Sequence, residues 1–170
     1  PDKHKIVALV DIGAQSTTCT IVEKGVLKLS RSFEPAGNEI NEVLSRSLQV
    51  DATKASQIER EFGLLPQSDP NNQSIREVIA TIVDAIVQET EKTIQSFAWN
   101  SNKLPELIIL GGGVALIPGL KEYFAKKLKV EAEIANPFAN VFYPPLLEKT
   151  LREMGPAYAI ALGTAMRGVE

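Results

Sequence analysis

A run of branched apolar residues near the start of the chain sets most of its architecture. Residues 6–10 are apolar, and the run stops at Asp11-Ile12-Gly13. Such a run bounded by a turn is typical of a strand that is buried on both faces. Two further stretches rich in β-favouring residues follow, separated by the turn dipeptide Lys24-Gly25. The sequence therefore predicts three consecutive strands joined by tight turns, a β-meander.

Beyond the meander the pattern predicts helices, then alternating strands and helices. Asp51 is expected to cap the second helix with Gly63 as its C′ residue, and Ser74 is expected to cap the longest helix. Gly155-Pro156 is expected to begin the last helix. The predicted strands are 6–10, 16–23, 26–30, 107–110 and 129–134, and the predicted helices are 40–48, 51–62, 74–97, 118–127 and one from 155 onward. This order predicts a mixed sheet with helices on its faces.

Composition narrows the classes of function. The chain has 170 residues, of which 44% are hydrophobic and 23% charged, an ordinary globular profile. Its one cysteine, Cys19, cannot form an intramolecular disulfide or a zinc cluster, and its one histidine, His4, lies too near the start to anchor a catalytic triad. A net charge of -3 gives no sign of nucleic-acid binding. The longest uncharged apolar run, 107–120, is glycine-broken and too short to span a bilayer, and no signal peptide opens the chain.

Two glycine-bearing turns follow two of the predicted buried strands, at residues 11–17 and 111–113. In open α/β sheets, ligands bind beyond the carboxyl ends of the strands, where glycines let backbone N–H groups approach an anion. Asp11 is suited to hold a hydrated Mg²⁺ beside a phosphate, and Ser16 and Thr17 to donate to phosphate oxygens. Each turn alone is also a common structural connection. Asp11 could instead be the first carboxylate of an RNase H-like nuclease. Residues 107–113, however, provide no second carboxylate for two-metal chemistry.

The sequence around the two turns resembles the actin-like ATPases. Residues 10–17 are similar to their second phosphate motif, and residues 110–113 followed by 116–120 are similar to their adenosine motif. Within that superfamily the chain resembles the PilM family of type IV pilus assembly proteins, relatives of the cell-division protein FtsA. The supporting stretches are Gly37-Asn38-Glu39-Ile40, Asn136-Pro137-Phe138 and residues 155–163 with Ala165, Arg167 and Gly168.

The resemblance implies an α/β fold: an RNase H-like, actin-like ATPase mixed sheet with flanking helices and a small, mostly helical inserted subdomain. Subdomain 2A is expected at 1–50 and 105–170, and the inserted subdomain 2B at 51–104. Such proteins also carry an N-terminal half, subdomains 1A and 1C. The start at Pro1 is therefore expected to be a cut within a longer protein, and an exposed apolar face is expected where the other half packs.

The resemblance also implies ATP and Mg²⁺ as cofactors of the longer protein, with Asp11 as the metal site. The implied binding residues are Asp11, Gly13, Ala14, Gln15, Ser16, Thr17, Ser56, Glu59, Gly111, Gly112 and Gly113. In the family, the helix after Asp51 usually reads Ala-Glu-x-x-Lys and faces the ribose and adenine, whereas this chain has Ser56 and Glu59 there. A carboxylate in place of a lysine is expected to weaken nucleotide binding, unless the alignment slips or Arg60 substitutes.

The function implied is that of a scaffold in type IV pilus assembly, cytoplasmic and peripheral to the inner membrane through its partners. PilN is expected to dock on the N-terminal half, and other pilus machinery to bind elsewhere. No catalytic residue is expected in this chain, and at most a weak ATPase in the longer protein. Three alternatives stay open: a degenerate interaction module without nucleotide, the ATPase domain of an FtsA-like cytoskeletal protein, and a sugar or acetate kinase of the same superfamily.

Overall fold

One five-stranded mixed sheet organises the molecule. The computed structural model describes residues 5–66 and 68–167, so Pro1, His4 and Gly168 lie outside the described residues. The strands are β1 (Ile6–Ile12), β2 (Thr17–Glu23), β3 (Val26–Phe33), β4 (Leu107–Gly111) and β5 (Glu131–Ile134). Their order is β3-β2-β1-β4-β5, with β1, β2 and β3 antiparallel and β1, β4 and β5 parallel. The predicted meander and mixed sheet are confirmed.

The turn between β2 and β3 follows from its two central residues. Lys24 and Gly25 both have positive φ, at 53° and 76°. This is the type I′ conformation, whose twist matches that of the flanking strands and which favours glycine. The dipeptide Lys24-Gly25 therefore fixes the pairing of Glu23 with Val26 and of Val22 with Leu27, after which the register shifts at Lys28.

The helices pack on the sheet and share its core. They are α1 (Gly37–Leu48), α2 (Ala52–Phe62), α3 (Pro70–Ser101), α4 (Leu120–Leu128) and α5 (Glu148–Met166), with short 3₁₀ turns at Gly113–Leu116 and Pro145–Leu147. The long helix α3 contacts β2 and β3. Its buried face includes Ile79, Val83 and Ile86, which belong to one hydrophobic cluster together with β1, β2, β4, α1 and α4. The division into subdomains at 51 and 104 stays a prediction.

Asp51 caps α2 as predicted, because its side chain accepts a hydrogen bond from the Lys54 N–H at 2.8 Å and Gly63 follows the last residue of the helix.

The prediction for α3 is wrong at its start. Asp69, not Ser74, is the N-cap, and its carboxylate accepts from the N–H groups of residues 71 and 72. Asp69-Pro70 is a strong start signal, since proline at the first helical position gives up an N–H that has no helical partner.

The starts of the last two helices also differ from the predictions. Helix α4 begins at Leu120, after Gly119 with φ 81°, rather than at Pro118. Helix α5 begins at Glu148, and Pro156 lies inside it instead of opening it. No helix within the described ranges is long and apolar enough to cross a bilayer.

Candidate phosphate-binding site

The two glycine turns lie side by side at the carboxyl ends of β1 and β4. These strands are parallel neighbours, and Asp11 pairs with Gly111 in their register. Gly112 has φ 84°, and a Cβ there would lie 2.2 Å from the carbonyl oxygen of Ile12. Its N–H donates to the carbonyl of Pro156 at 2.8 Å. The structure thus brings together Asp11 and residues 111–113, and only glycine fits where the backbones touch.

The β1–β2 turn holds the start of α1. Carbonyl oxygens of Gly13 and Ala14 accept from the N–H groups of Gly37 and Asn38, at 3.0 and 2.9 Å. Because α1 has no side-chain cap, these bonds satisfy two donors at its N-terminus. A Cβ on Gly37 would lie 2.5 Å from Val114 Cγ2, so α1 also packs tightly on the 3₁₀ turn after Gly113. The turn, α1 and residues 111–114 therefore form one contiguous wall.

Three consecutive N–H groups in this turn remain available. The Gly13 N–H is used, because it donates to the Ser16 carbonyl at 3.1 Å. Within the part of the chain that the structure describes, the N–H groups of Ala14, Gln15 and Ser16 have no acceptor. All three residues are exposed. Successive free N–H groups in a turn are a typical anion-binding arrangement.

The two hydroxyl residues predicted to bind phosphate differ in their surroundings. Thr17 is fully buried, and its hydroxyl donates to the Pro35 carbonyl at 2.7 Å. While this bond holds, Thr17 has no proton to offer a phosphate oxygen. Ser16 is exposed, and its hydroxyl makes no hydrogen bond to any described residue. Ser16 is thus the hydroxyl that is free to reach a ligand.

Asp11 is a half-buried carboxylate beside the two turns. Burial raises the pKa of its carboxyl group, and no described lysine or arginine forms an ion pair with it. Its Oδ1 atom lies 3.3 Å from the position of a Cβ on Gly111. On the α5 side it borders a cavity of about 240 Å³ whose other walls are mostly apolar, including Ile109 and Ile160. An uncompensated carboxylate of this kind is suited to a divalent cation.

Residues 5–66 and 68–167 contain no cluster of three or more His, Cys, Asp or Glu side chains that could hold a metal ion. A cation at Asp11 would therefore need water or ligand oxygens for most of its coordination shell. This is how Mg²⁺ usually binds beside phosphates, through one or two carboxylates. The single carboxylate fits Mg²⁺ bound with a phosphate and does not fit a metal site made by protein alone.

The surface beside the phosphate turn is acidic. Ala14 and Gln15 border a cavity of about 280 Å³ that is also lined by Glu34, Glu39 and Glu42. Along α1 this cavity is followed by another, of about 310 Å³, where Arg46 supplies a positive charge. Arg46 is itself paired with Glu42 at 3.2 Å. A polyphosphate at this surface would meet repulsion unless a cation accompanied it.

Ser56 and Glu59 lie on α2, which packs against α1 and α3. Glu59 is buried, and burial raises the pKa of its carboxyl to about 6, although the Asn41 side chain and the charge of Arg60 act in the opposite direction. Among the described residues, no hydrogen bond or ion pair joins Ser56 or Glu59 to either glycine turn. The structure brings Glu59 to Asn41 rather than to the turns.

Asn41 is a residue that the sequence reasoning missed. Its Oδ1 atom is buried and has no hydrogen-bond partner among the described residues. It also lines the 310 Å³ cavity. The sequence feature that could have identified Asn41 is its position on α1, where a polar residue lies next to the apolar stripe that begins at Ile40. A buried polar atom without a partner is costly, so this position is a further candidate for ligand contact.

Comparisons with known proteins identify relatives of this chain. The family model described as type IV pilus assembly protein PilM matches residues 1–169. The solved structure of a PilM-PilN type IV pilus biogenesis complex contains a chain that is 27% identical, with a TM-score of 0.85, over 99% of this chain and 47% of that one. The cell division protein FtsA of Bacillus subtilis (strain 168) is 25% identical over 153 residues, which cover 80% of this chain and 35% of FtsA.

More distant structures share the fold. MreB5 of Spiroplasma citri, solved with AMPPNP bound, is 16% identical with a TM-score of 0.70, over 96% of this chain and 52% of MreB5. At that identity the likeness concerns the fold, which is that of the actin-like proteins. The chain spans about a third to a half of the length of the relatives it matches. The predicted RNase H-like, actin-like architecture is confirmed.

Proposed function

Since the chain belongs to the PilM family of type IV pilus assembly proteins, we propose that it is the nucleotide-binding half of a longer actin-fold scaffold protein. The family match and the 47% coverage of the PilM-PilN chain support this proposal. In it, residues 1–50 and 105–170 form subdomain 2A, and residues 51–104 form 2B. The protein acts on the cytoplasmic side of the inner membrane, where it is held by its partners.

The three free N–H groups of Ala14, Gln15 and Ser16, next to Asp11, carry the nucleotide-binding part of the proposal. Phosphate oxygens accept from these N–H groups and from the Ser16 hydroxyl. Asp11 holds the hydrated Mg²⁺, which when bound neutralises the charge of the β- and γ-phosphates. Residues 111–113 form the wall beside the adenosine, where the exposed Gly113 leaves open space.

The proposed binding is weak and depends on Mg²⁺. Glu34, Glu39 and Glu42 line the cavity beside the phosphate turn. The lysine usual in the family on the helix after Asp51 is replaced by Glu59. Without a cation, these carboxylates repel a polyphosphate. The isolated chain does not hydrolyse ATP, because phosphoryl transfer needs groups positioned on both sides of the cleft.

The proposed partners follow from the family. PilN docks on the N-terminal half of the longer protein, and that half packs against the exposed apolar side of this chain. The observation in support is an exposed apolar stretch on α5 and the segment before it, where Phe142 is 101%, Leu146 90% and Ile160 67% exposed. Exposed apolar surface of this kind marks a site of association.

The test is a calorimetric titration of ATP into the 170-residue chain, with Mg²⁺ and with EDTA. We expect weak binding that requires Mg²⁺ and falls by about tenfold or more in Asp11→Asn, which corresponds to about 1.4 kcal/mol. Glu131→Gln, an exposed carboxylate on β5, is the matched control and should bind like the parent. Binding that survives both EDTA and Asp11→Asn would contradict the proposal, as would steady phosphate release above an Asp11→Ala control.

A second candidate function is an actin-fold interaction module that has lost nucleotide binding. The observations that favour it are the burial of Glu59 and the acidic cavity beside the phosphate turn. In that case ATP with Mg²⁺ gives no heat with the parent chain. If the double change Ser56→Glu and Glu59→Lys then restored binding, the loss would be located on α2, and if it did not, the cause would lie elsewhere.

A further inference from the structure

The outer edge of β3 is a free sheet edge. It is the first strand in the order β3-β2-β1-β4-β5 and is eight residues long, with a bulge at Lys28, which has no partner on β2. Over the described ranges no strand pairs with its outer side, and no loop backbone donates to or accepts from it. An edge strand of this length presents a row of unpaired N–H and C=O groups on which another extended chain can pair.

The charge along this edge is positive, although the protein as a whole is acidic. The strand and its turn carry Lys24, Lys28 and Arg31, and no acidic residue lies between Glu23 and Glu34. Glu23 is already paired, with Lys28 at 3.5 Å and with Lys103. Three cations thus lie along the hairpin, and a fourth, Lys103, pairs with its one carboxylate, against a net charge of -3 for the chain.

Apolar side chains at the same edge are exposed. Val26 and Leu27 are 56% and 62% exposed, and all but two residues of β3 are open to solvent. In an extended chain, side chains alternate between the two faces, so Val26 and Leu27 lie on opposite faces of the sheet. An added strand of alternating apolar and acidic residues can place its apolar face against one of them and acidic residues near the cations. The edge therefore combines main-chain pairing, apolar contact and charge.

A second copy of the chain is a poorer occupant than an acidic partner segment. Antiparallel pairing of β3 with another β3 would bring Lys28 and Arg31 of the two copies close together, and like charges on facing strands are destabilising. The other free edge, β5, carries Glu131 and Glu133, so β5 of a second copy would bring carboxylates to the cations of β3. However, it is only four residues long, half the length of β3.

We propose that β3 is the docking strand for an acidic, extended segment of a partner protein, which pairs with it as a sixth strand. Main-chain hydrogen bonds supply most of the affinity, and contact with Lys28 and Arg31 selects acidic sequences. The Lys24-Gly25 end of β3 lies away from the phosphate turn, whereas its other end, at Phe33, pairs with Thr17 next to that turn.

The probe is a capped peptide of alternating valine and glutamate, roughly eight residues long to match β3. Its binding to the 170-residue chain is measured by fluorescence anisotropy. We expect saturable binding that weakens as NaCl is raised from about 50 mM to about 500 mM. We also expect an affinity at least about tenfold lower for Lys28→Glu/Arg31→Glu.

Two controls separate strand pairing from simple charge attraction. The variant Lys54→Glu/Lys126→Glu changes the net charge equally at exposed positions on α2 and α4, and should bind like the parent. A peptide with proline at its centre keeps the charge but loses a donor, and should bind at least about tenfold more weakly. Circular dichroism and the unfolding midpoint verify that each variant is folded.

Several results would overturn the proposal. Equal binding of the proline peptide would show that pairing plays no role, and the absence of any binding by a folded parent chain would exclude the site. Self-association in sedimentation analysis that is lost in both Lys28→Glu/Arg31→Glu and Glu131→Lys/Glu133→Lys would show that the occupant is a second copy. Without peptide binding, cosedimentation with phosphatidylserine vesicles that depends on Lys28 and Arg31 would assign the edge to a membrane.

Discussion

The backbone of Gly112 passes so close to Ile12 that a methyl group on Gly112 would lie 2.2 Å from the Ile12 carbonyl oxygen. The φ of Gly112, 84°, is also one that only glycine adopts without strain. This contact joins the turn after β4 to the end of β1, next to Asp11. Any side chain at position 112 must push the two turns apart.

We expect Gly112→Ala to lower the free energy of unfolding by about 2 kcal/mol or more, since it combines backbone strain with a clash. Chemical denaturation measures this loss. Gly113→Ala is the control, because nothing lies within 4 Å of a Cβ at Gly113 and its φ is not positive. A loss as large for Gly113→Ala would contradict the assignment of the clash to position 112.

Glu59 should make stability depend on pH. Burial raises the pKa of its carboxyl from the ordinary 4.5 to about 6, so the folded chain holds the proton more tightly than the unfolded chain does. Below about pH 4.5 the carboxyl is neutral in both states, so its burial costs no charge desolvation. The free energy of unfolding then falls by up to about 2 kcal/mol as the pH rises from about 4.5 through 6. Glu59→Gln should therefore be more stable than the parent at neutral pH and similar to it at about pH 4.

Urea unfolding across this pH range tests the prediction for Glu59. Glu61→Gln, an exposed neighbour on the same helix, provides the comparison and should follow the parent at every pH. If Glu59→Gln kept the parent's pH dependence between 4.5 and 6, another group would be responsible.

Thr17 should matter more for stability than for ligand binding. Thr17→Val keeps the shape of the side chain but leaves the Pro35 carbonyl without its 2.7 Å hydrogen bond, at a cost of about 1 to 3 kcal/mol. The hydroxyl of Thr20 pairs with Ser30 on an exposed face, so Thr20→Val should cost less than about 1 kcal/mol.

For ATP with Mg²⁺, Ser16→Ala should weaken binding more than Thr17→Val does. The reverse order in calorimetry would show that Thr17 reaches the ligand.

The charged Asp11 carboxylate should lower the stability of the ligand-free chain. It should also be the group that makes stabilisation by ATP depend on Mg²⁺. Because burial raises the pKa of its carboxyl, the charged form is disfavoured in the folded chain at neutral pH. Asp11→Asn should therefore unfold at a higher temperature than the parent without ligand, yet gain no stability from MgCl₂ with ATP. A variant that is less stable than the parent, or that still gains stability from the ligand, would contradict this.

Much of the fold could be predicted because its signals are local. The apolar runs that became β1 and β4, the Lys24-Gly25 turn and the Asp51 cap each depend on a few adjacent residues. The prediction for the start of α3 is wrong because Asp69 and Ser74 are both good caps and the residues between them, 70–73, are a proline and three polar residues. Hydrophobic periodicity gives no information about such a turn.

The sequence by itself determined the strand order of the meander, the position of the glycine turns and the family to which they belong. Only the tertiary structure decided that the Thr17 hydroxyl is taken by Pro35, that Glu59 is buried near Asn41, and that the N–H groups of residues 14–16 stay free. The physical reason is that turns and caps are set by neighbouring residues, whereas burial and hydrogen-bond partners depend on segments that meet only when the chain folds.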